Sequence, residues 1–269
     1  MLRDYETCWD RGRPVDLVVL ESTYGDRRHR CSHDDLERQL ERILRRAIER
    51  RGHVLIPAFA IGRTQTLLWH LNALVEAGKL PALPVVIDSP LGLLVTETYA
   101  RARALYDAEA LARLARGDLP LDFQNLYSVS RSADSARLRD VAGPMVIIAG
   151  SGMCTGGRIV GHLRELVPRS STTVVFAGYQ ARGTPGRALQ DAGRRGAASV
   201  RLDGEDLAVR CHVDTLTGLS AHADQRELVH WLGCIPEVRR VVLHHGEPAA
   251  QHALAAAIQS AAQKGGAAA

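Results

Sequence analysis

The 269-residue sequence predicts a layered α/β protein in which a larger α/β region is inserted between an N-terminal strand and a C-terminal set of elements. Three observations predict it. Short runs rich in Val, Ile and Leu alternate with stretches whose apolar residues recur at helical spacing. Glycines and prolines punctuate the joins. Loops dense in polar residues follow the strand-like runs, the place where open α/β sheets hold ligands.

The first strand is VDLVVL, residues 15–20. Ser32 stands three residues before Asp35, a capping-box spacing, and Leu36, Leu40, Ile43, Leu44, Ala47 and Ile48 then share one face of a helix whose other face is charged. Gly52 ends that helix, and HVLIP from His53 begins the next strand. The turn around Gly62 leads into a helix over residues 64–76, with Leu67, Leu68, Leu71 and Leu74 as its buried stripe and Gly78 as its stop. PVVID, residues 84–88, is a third strand, and helices are expected over residues 91–106 and 108–114. Buried strands at 144–149 and 173–176 are separated by a glycine-rich turn and a helix over 158–166. Residues 181–199, ARGTPGRALQDAGRRGAAS, carry few large apolar side chains and read as an exposed connection or a domain boundary. A strand LAVRCHV, a helix over 224–231, a strand VRRVVL and an alanine-rich helix to Gln259 follow, and KGGAAA from Lys264 reads as a frayed tail.

Composition sets outer limits. Hydrophobic residues make up 46% and charged residues 24%, which excludes a disordered chain. No apolar run approaches the roughly 18 residues of a membrane span, and MLRDYETCWDRGRP lacks a signal-peptide core, so no membrane partner is expected and the location expected is cytoplasmic. The five cysteines are widely spaced and form no CxxC pair, which points to reduced thiols rather than a disulfide framework or a thiolate zinc site. The net charge of +4, carried mostly by arginine, permits a polyanionic partner without requiring one.

Four loops concentrate the chemistry: ESTYG from Glu21, GSGMCTGGR from Gly150, SAHAD from Ser220, and HHGE from His244. Taken singly, each has an ordinary explanation. Glu21 can cap a turn, and His222 can begin the helix that Asp224 caps. Adjacent residues on an extended chain point apart, so at most one of His244 and His245 is a ligand, and His245, beside Gly246, has the more open approach. The loop from Gly150 to Gly157 holds four glycines and lets backbone amides approach an anion. It lacks the GKS or GKT of a nucleotide P-loop and the GxGxxG of a dinucleotide fold, which argues against ATP and NAD.

Together these loops resemble the β-CASP group of metallo-β-lactamase-fold nucleases, RNA-processing exonucleases and 3′-end cleavage endonucleases. ESTYGDR is similar to its acidic motif A, GLSAHADQREL to motif B and LHHGE to motif C, while IPAFAIGRTQTLL, IDSPLG, GSGMCTGGR and AGYQARGTPGR are similar to its other signature segments. The resemblance covers nearly the whole chain, in order. It implies zinc-dependent phosphodiester hydrolysis of single-stranded RNA, with Glu21 and His222 catalytic at the scissile phosphate and His245 a ligand of one of two zinc ions. It implies RNA contacts at Ser22, Arg63, Ser151, Gly152, Gly156, Gly157, Arg158, Arg182 and Arg187. The domain organisation it implies is a metallo-β-lactamase-like segment over 1–31, a β-CASP domain over 32–197 inserted in an incomplete αββα fold, and a second metallo-β-lactamase-like segment over 198–269.

The family's HxHxDH metal-binding sequence is absent, and no two of the eleven histidines stand as HxH. The expectation is a C-terminal portion that lacks an N-terminal half, does not bind zinc stably alone, and is insoluble in part, dimeric through an exposed strand edge, or inactive. The alternatives are a non-catalytic RNA-binding or complex-forming β-CASP subunit, and an unrelated phosphate-ligand α/β enzyme using the loop at 150–157.

Overall fold

A computed structural model describes residues 14–29, 33–81 and 83–266. They form two compact units, one from the described residues of Cys31–Leu219 and one from those of Tyr5–Arg30 and Ser220–Ala269. In chain order, β1 (Val18–Glu21) opens the smaller unit. The larger unit then runs α1 (His33–Glu49), β2 (Val54–Pro57), α2 (Arg63–Glu76), β3 (Val85–Asp88), α3 (Pro90–Arg101), α4 (Ala108–Ala115), β4 (Leu126–Ser128) and α5 (Ser132–Arg137). It continues with β5 (Val146–Ala149), α6 (Arg158–Leu166), β6 (Thr173–Phe176), α7 (Pro185–Arg195), β7 (Ser199–Leu202), β8 (Glu205–Ala208) and β9 (His212–Thr215). Helix α8 (Gln225–Gly233), β10 (Val241–His244) and α9 (Pro248–Gly266) complete the smaller unit.

The larger unit is built on a parallel sheet in the order β4-β3-β5-β2-β6-β9. Its central strands β3, β5, β2 and β6 are buried at every position because both faces are covered, and they are apolar except for Asp88 and Thr173 at their ends. Val54, Ile56, Val85, Ile87, Val146, Ile148 and Val175 point into one core with the apolar stripes of α1 and α2. Their neighbours Leu55, Val86, Ile147, Val174 and Phe176 point into the other, against Ile159, Leu163 and Leu166 of α6 and Leu189 of α7. The period of two along each strand thus feeds two helical layers.

In the smaller unit β1 pairs in parallel with β10, Val18 opposite Val241 and Glu21 opposite His244, extended by a bridge from Val15 to Val238. Val18, Leu20, Leu228, Leu232, Ile235 and Leu254 close its core. The alternate residues Leu17 and Val19 are 50% and 62% exposed, and β10 is the sole strand bonded to β1 among the described residues.

Several expectations are corrected. Residues 181–199 are not an exposed connection: α7 occupies them, capped by the Thr184 hydroxyl, which accepts the Arg187 N–H, and it buries Leu189, Gln190 and Ala192. Its small residues are the reason, because glycine permits close approach to the sheet. A Cβ at Gly193 would stand 2.5 Å from Val213 Cβ on β9. The strand expected over 207–213 is two strands: the chain leaves the β7–β8 hairpin after Ala208, and the N–H groups of Arg210 and Cys211 donate to Val167 O before β9 joins the sheet. Strand β9 is part of that sheet, and the larger unit runs to Leu219. The helix from residue 91 stops at Arg101 and gives way to a 3-10 turn at Arg103–Leu105, while α9 continues through Gly266 into the segment expected to fray. Strand β4 and helix α5 have no counterpart in the sequence reading. The capping role expected of Ser32 lies outside the described residues. Cys154 is buried and Cys211 partly buried, and burial pushes their thiols up to about 12 and about 11, hence protonated. Among the described residues no helix is long and apolar enough to cross a membrane.

The close approach of α7 to β9 yields a test in which two effects oppose. Gly193→Ala gains about 1 kcal/mol of helix propensity but inserts a methyl against a β-branched side chain, an overpacking cost of about 1–3 kcal/mol. Gly161→Ala on α6 meets only ordinary contacts, 3.8 Å from the Arg139 guanidinium. Urea unfolding is expected to show G193A destabilised and G161A unchanged or stabilised; a stabilised G193A contradicts the packing described.

Candidate active site

The carboxyl ends of β1 and β10 are joined by side chains. Buried Ser22 donates its hydroxyl to His244 O at 2.7 Å. Thr23 Oγ1 lies 3.1 Å from His245 Nδ1. His245 has a left-handed backbone, φ 65°, so the chain turns out of the strand there. A Cβ on Gly246 would collide with Ser22 O, so glycine is required for the two loops to close on one another.

His222 is fixed from behind. Its N–H donates to Ser220 Oγ at 3.1 Å. Its carbonyl lies 2.9 Å from His29 Nε2, and because a carbonyl only accepts, Nε2 carries the proton. Asp224 caps α8 in a reciprocal capping box with Glu227 and also accepts the His29 N–H at 2.9 Å. Burial would raise the Asp224 carboxyl, but backbone N–H groups of Glu227, His29 and Arg226 outweigh it and hold the group below the usual carboxylate range. The Tyr24 ring stands edge-on to both His29 and His222, at 5.3 and 6.2 Å between centroids, beneath the Arg27 guanidinium.

These supports bring Glu21, His222 and His245 together. One donor atom from each lies within 4.8 Å of the others, and the two imidazole centroids are 5.5 Å apart. Glu21 Oε2 accepts the Thr23 N–H at 2.8 Å and lies 3.5 Å from His222 Nδ1, at ion-pair rather than hydrogen-bond distance. The ordinary and the chemical roles of Glu21 therefore coexist on one oxygen. Its second oxygen, Oε1, is buried without a partner. The donors are imidazole nitrogen and carboxylate oxygen, the set zinc accepts, and the orphaned Oε1 is the kind of atom a cation would satisfy. Three donors fit part of the shell of one ion. His244, on β10, is outside the cluster. Thr23, Tyr24, His29 and Ser220 support the site without being singled out by the sequence, whereas Asp224 is, as the cap of the helix after His222; for Thr23, Tyr24 and Ser220 the signal is position, in the same loops as Glu21 and His222.

The other sequence-selected residues belong to the larger unit, and Ser22, in the smaller, is a buried strut. Ser151 accepts the Thr155 N–H at 2.9 Å, closing the glycine loop on itself. A Cβ on Gly152 would stand 2.8 Å from the Phe59 ring and one on Gly157, φ 76°, 2.4 Å from Gly150 O, whereas Gly156 faces open space. Arg158 departs furthest from expectation. Its side chain is 16% exposed and donates to Asp88 Oδ1 at 2.6 Å, Val129 O at 2.7 Å and Ser130 O at 2.5 Å, so it anchors the loop from within. Arg187 pairs with Asp191 at 2.8 Å, Arg182 is exposed ahead of α7, and Arg63 opens α2 near Gly178.

The anchor of Arg158 is Asp88, fully buried at the end of β3, which also accepts from Ser135 Oγ at 2.5 Å and His162 Nε2 at 2.6 Å. Burial pushes its carboxyl up, but the bonds from His162, Ser135 and Arg158 together win and hold it below the ordinary value. Asp88→Ala is expected to cost about 3–5 kcal/mol in urea unfolding, the price of a buried guanidinium left unpaired. A folded value below the unfolded one means that this stability is present above the ordinary carboxylate range and lost as pH falls through the folded value. The gap between wild type and Asp88→Asn should therefore narrow in acid; a gap constant with pH contradicts an ionised Asp88.

Two family models match. Residues 64–189 match the Beta-Casp domain and residues 206–266 match the Zn-dependent metallo-hydrolase RNA specificity domain. Ribonuclease TTHA0252 of Thermus thermophilus is 39% identical over 233 residues, covering 87% of this chain and 52% of the relative. Transcription termination factor FttA of Thermococcus kodakarensis is 30% identical over 260 residues, 91% of this chain and 38% of the relative; that of Pyrococcus abyssi is 32% identical over 249 residues, 87% and 36%. The chain belongs to the β-CASP family. It spans about half the length of the first of these relatives and less of the others.

Proposed function

We propose that this chain supplies part of the active site and the RNA-holding surface of a zinc-dependent β-CASP nuclease acting on single-stranded RNA. The observation that carries the reading is the convergence of Glu21, His222 and His245, from segments about 200 residues apart, within 4.8 Å. The relatives, a ribonuclease and a transcription termination factor, support RNA as the substrate class.

Zinc, when bound, supplies a Lewis acid and an activated water for phosphodiester hydrolysis. His245 would hold it: with Nδ1 against Thr23 Oγ1, Nε2 is the nitrogen left for a metal. His222 contacts the phosphate and moves a proton to the leaving oxygen, and Glu21 beside Nδ1 orients the ring. Four or so ligands are needed for firm zinc binding, and in this reading His245, which is exposed, is the one residue of the cluster given to the metal. The chain alone is therefore proposed to bind zinc weakly and to lack turnover. Self-association along β1, where Leu17 and Val19 are exposed, is part of the same proposal.

Zinc titration of the chain should give a Kd weaker than about 1 μM, short of complete four-ligand sites, and His245→Ala should weaken it further. Nanomolar binding, or binding indifferent to H245A, overturns the ligand assignment. A fluorescent single-stranded RNA should bind with affinity that falls about tenfold or more between 50 and 200 mM salt, as three or so phosphate contacts require.

A chimera joining this chain to the part of the Thermus relative that it does not cover tests the chemistry. His222→Ala should keep the metal and lower kcat by about 10²- to 10⁴-fold. Glu21→Gln retains an acceptor for the Thr23 N–H and so preserves the fold, and its loss should overlap with that of H222A rather than add to it. Additive losses would falsify the orienting role of Glu21.

A further inference from the structure

In the larger unit, the glycine-rich loop follows the carboxyl end of β5. At the opposite end of the sheet, the segments leading into β2, β5 and β6 enclose a cleft of about 410 Å³. Its walls carry Arg51, Arg139 and Arg169 against a single acid, Asp140. Guanidinium stays charged at any working pH. Elsewhere on the chain arginines meet acids: Arg45 with Glu41, Arg239 with Asp16, and Arg164 with both Asp203 and Glu205. Among the described residues the three cleft arginines make one ion pair, the long one of Arg139 with Glu165 at 3.9 Å. Among the described residues Arg51 has no ion pair or side-chain hydrogen bond. Arg169 donates to the carbonyl of Arg139 at 2.9 Å. Arg139 reaches Gly161 O at 3.3 Å and lies 3.9 Å from Glu165, with its Nε buried and unpartnered.

Helices α1 and α6 end on this side of the sheet, and helix carboxyl ends favour cations. Three guanidiniums against two helix ends of about half a charge each and the Asp140 carboxylate leave an excess of about one positive charge, which the half-exposed Glu165, 3.9 Å from Arg139, only partly offsets. The cleft is also firmly walled. His53, 5% exposed, lies 3.1 Å from Val141 O through Nε2, and a Cβ on Gly143 would stand 2.9 Å from Arg51 O and 3.2 Å from the His53 ring. Burial holds His53 below its usual value, so the positive charge resides on the arginines.

We propose that this cleft is a phosphate-binding subsite, taking the phosphate group of either an RNA backbone or a free nucleotide or polyphosphate. Guanidiniums arriving from three segments match an anion that offers oxygens in several directions. The volume exceeds that of one phosphate group and leaves room for what is attached to it.

The test uses the full chain and two probes, inorganic pyrophosphate and a labelled single-stranded RNA. With pyrophosphate, amide NMR shifts are expected to cluster at residues 51–53, 140–143 and 169–172. The double variant Arg51→Gln, Arg169→Gln should weaken binding about tenfold or more without a change in melting temperature. Arg194→Gln, Arg201→Gln, which removes the same charge from other exposed positions, should not. Loss of affinity for both probes in the first variant assigns the subsite to RNA; loss for pyrophosphate alone assigns it to a small phosphate ligand, with the RNA reading of the chain intact. Equal weakening by the control variant, or no pyrophosphate shifts in the cleft, overturns the proposal.

Discussion

The candidate site depends on one pairing, that of β1 with β10. It aligns Glu21 with His244 and lets Ser22 and Thr23 reach the next two residues of the second loop, more than 200 positions later in the chain. Closing a loop of that length costs about 5 kcal/mol of chain entropy. Burial of Val18 and Leu20 against Leu228, Leu232 and Leu254 offsets it, at about 1.5–3 kcal/mol for each large side chain. The chemistry and the core are therefore not separable: the residues that hold β1 in register also set where Glu21 ends.

A comparable economy runs through the larger unit. Asp88 ends β3, and its carboxylate ties together α5 through Ser135 and α6 through His162 and Arg158. Arg158 in turn holds the segment after β4 by two carbonyls. Gly157 lets the loop pass against Gly150 on its way into α6. The glycine-rich loop is thus rigid from below, with Gly156 and the exposed part of Ser151–Thr155 left to face solvent. A preformed loop loses less entropy on meeting an anion than one that must order at that moment.

Much of the architecture is legible in the sequence because the sheet's strands are buried on both faces and the helices α1 and α2 carry continuous leucine stripes. What is not legible has physical causes. Strand β4 leaves Tyr127 53% exposed and has no apolar run, and its place is set by pairing with β3. Helix α7 packs through glycine and alanine, which look like loop composition until Val213 is seen against Gly193. The three residues Glu21, His222 and His245 could be chosen from loop positions and the family resemblance, but their mutual distance is a tertiary fact. Arg158 is the instructive case, since a basic residue opening a helix after glycines suggests an anion contact and its actual partner, Asp88, lies 70 residues earlier.

The central claim is that the β1–β10 pairing brings Glu21, His222 and His245 around one cation-binding point. Anomalous diffraction at the zinc edge, from crystals of the chain soaked in excess zinc, tests it most directly. The account predicts a peak bonded to His245 Nε2 with Glu21 and His222 adjacent; a zinc peak elsewhere with this cluster empty, or the three side chains found apart, would contradict it.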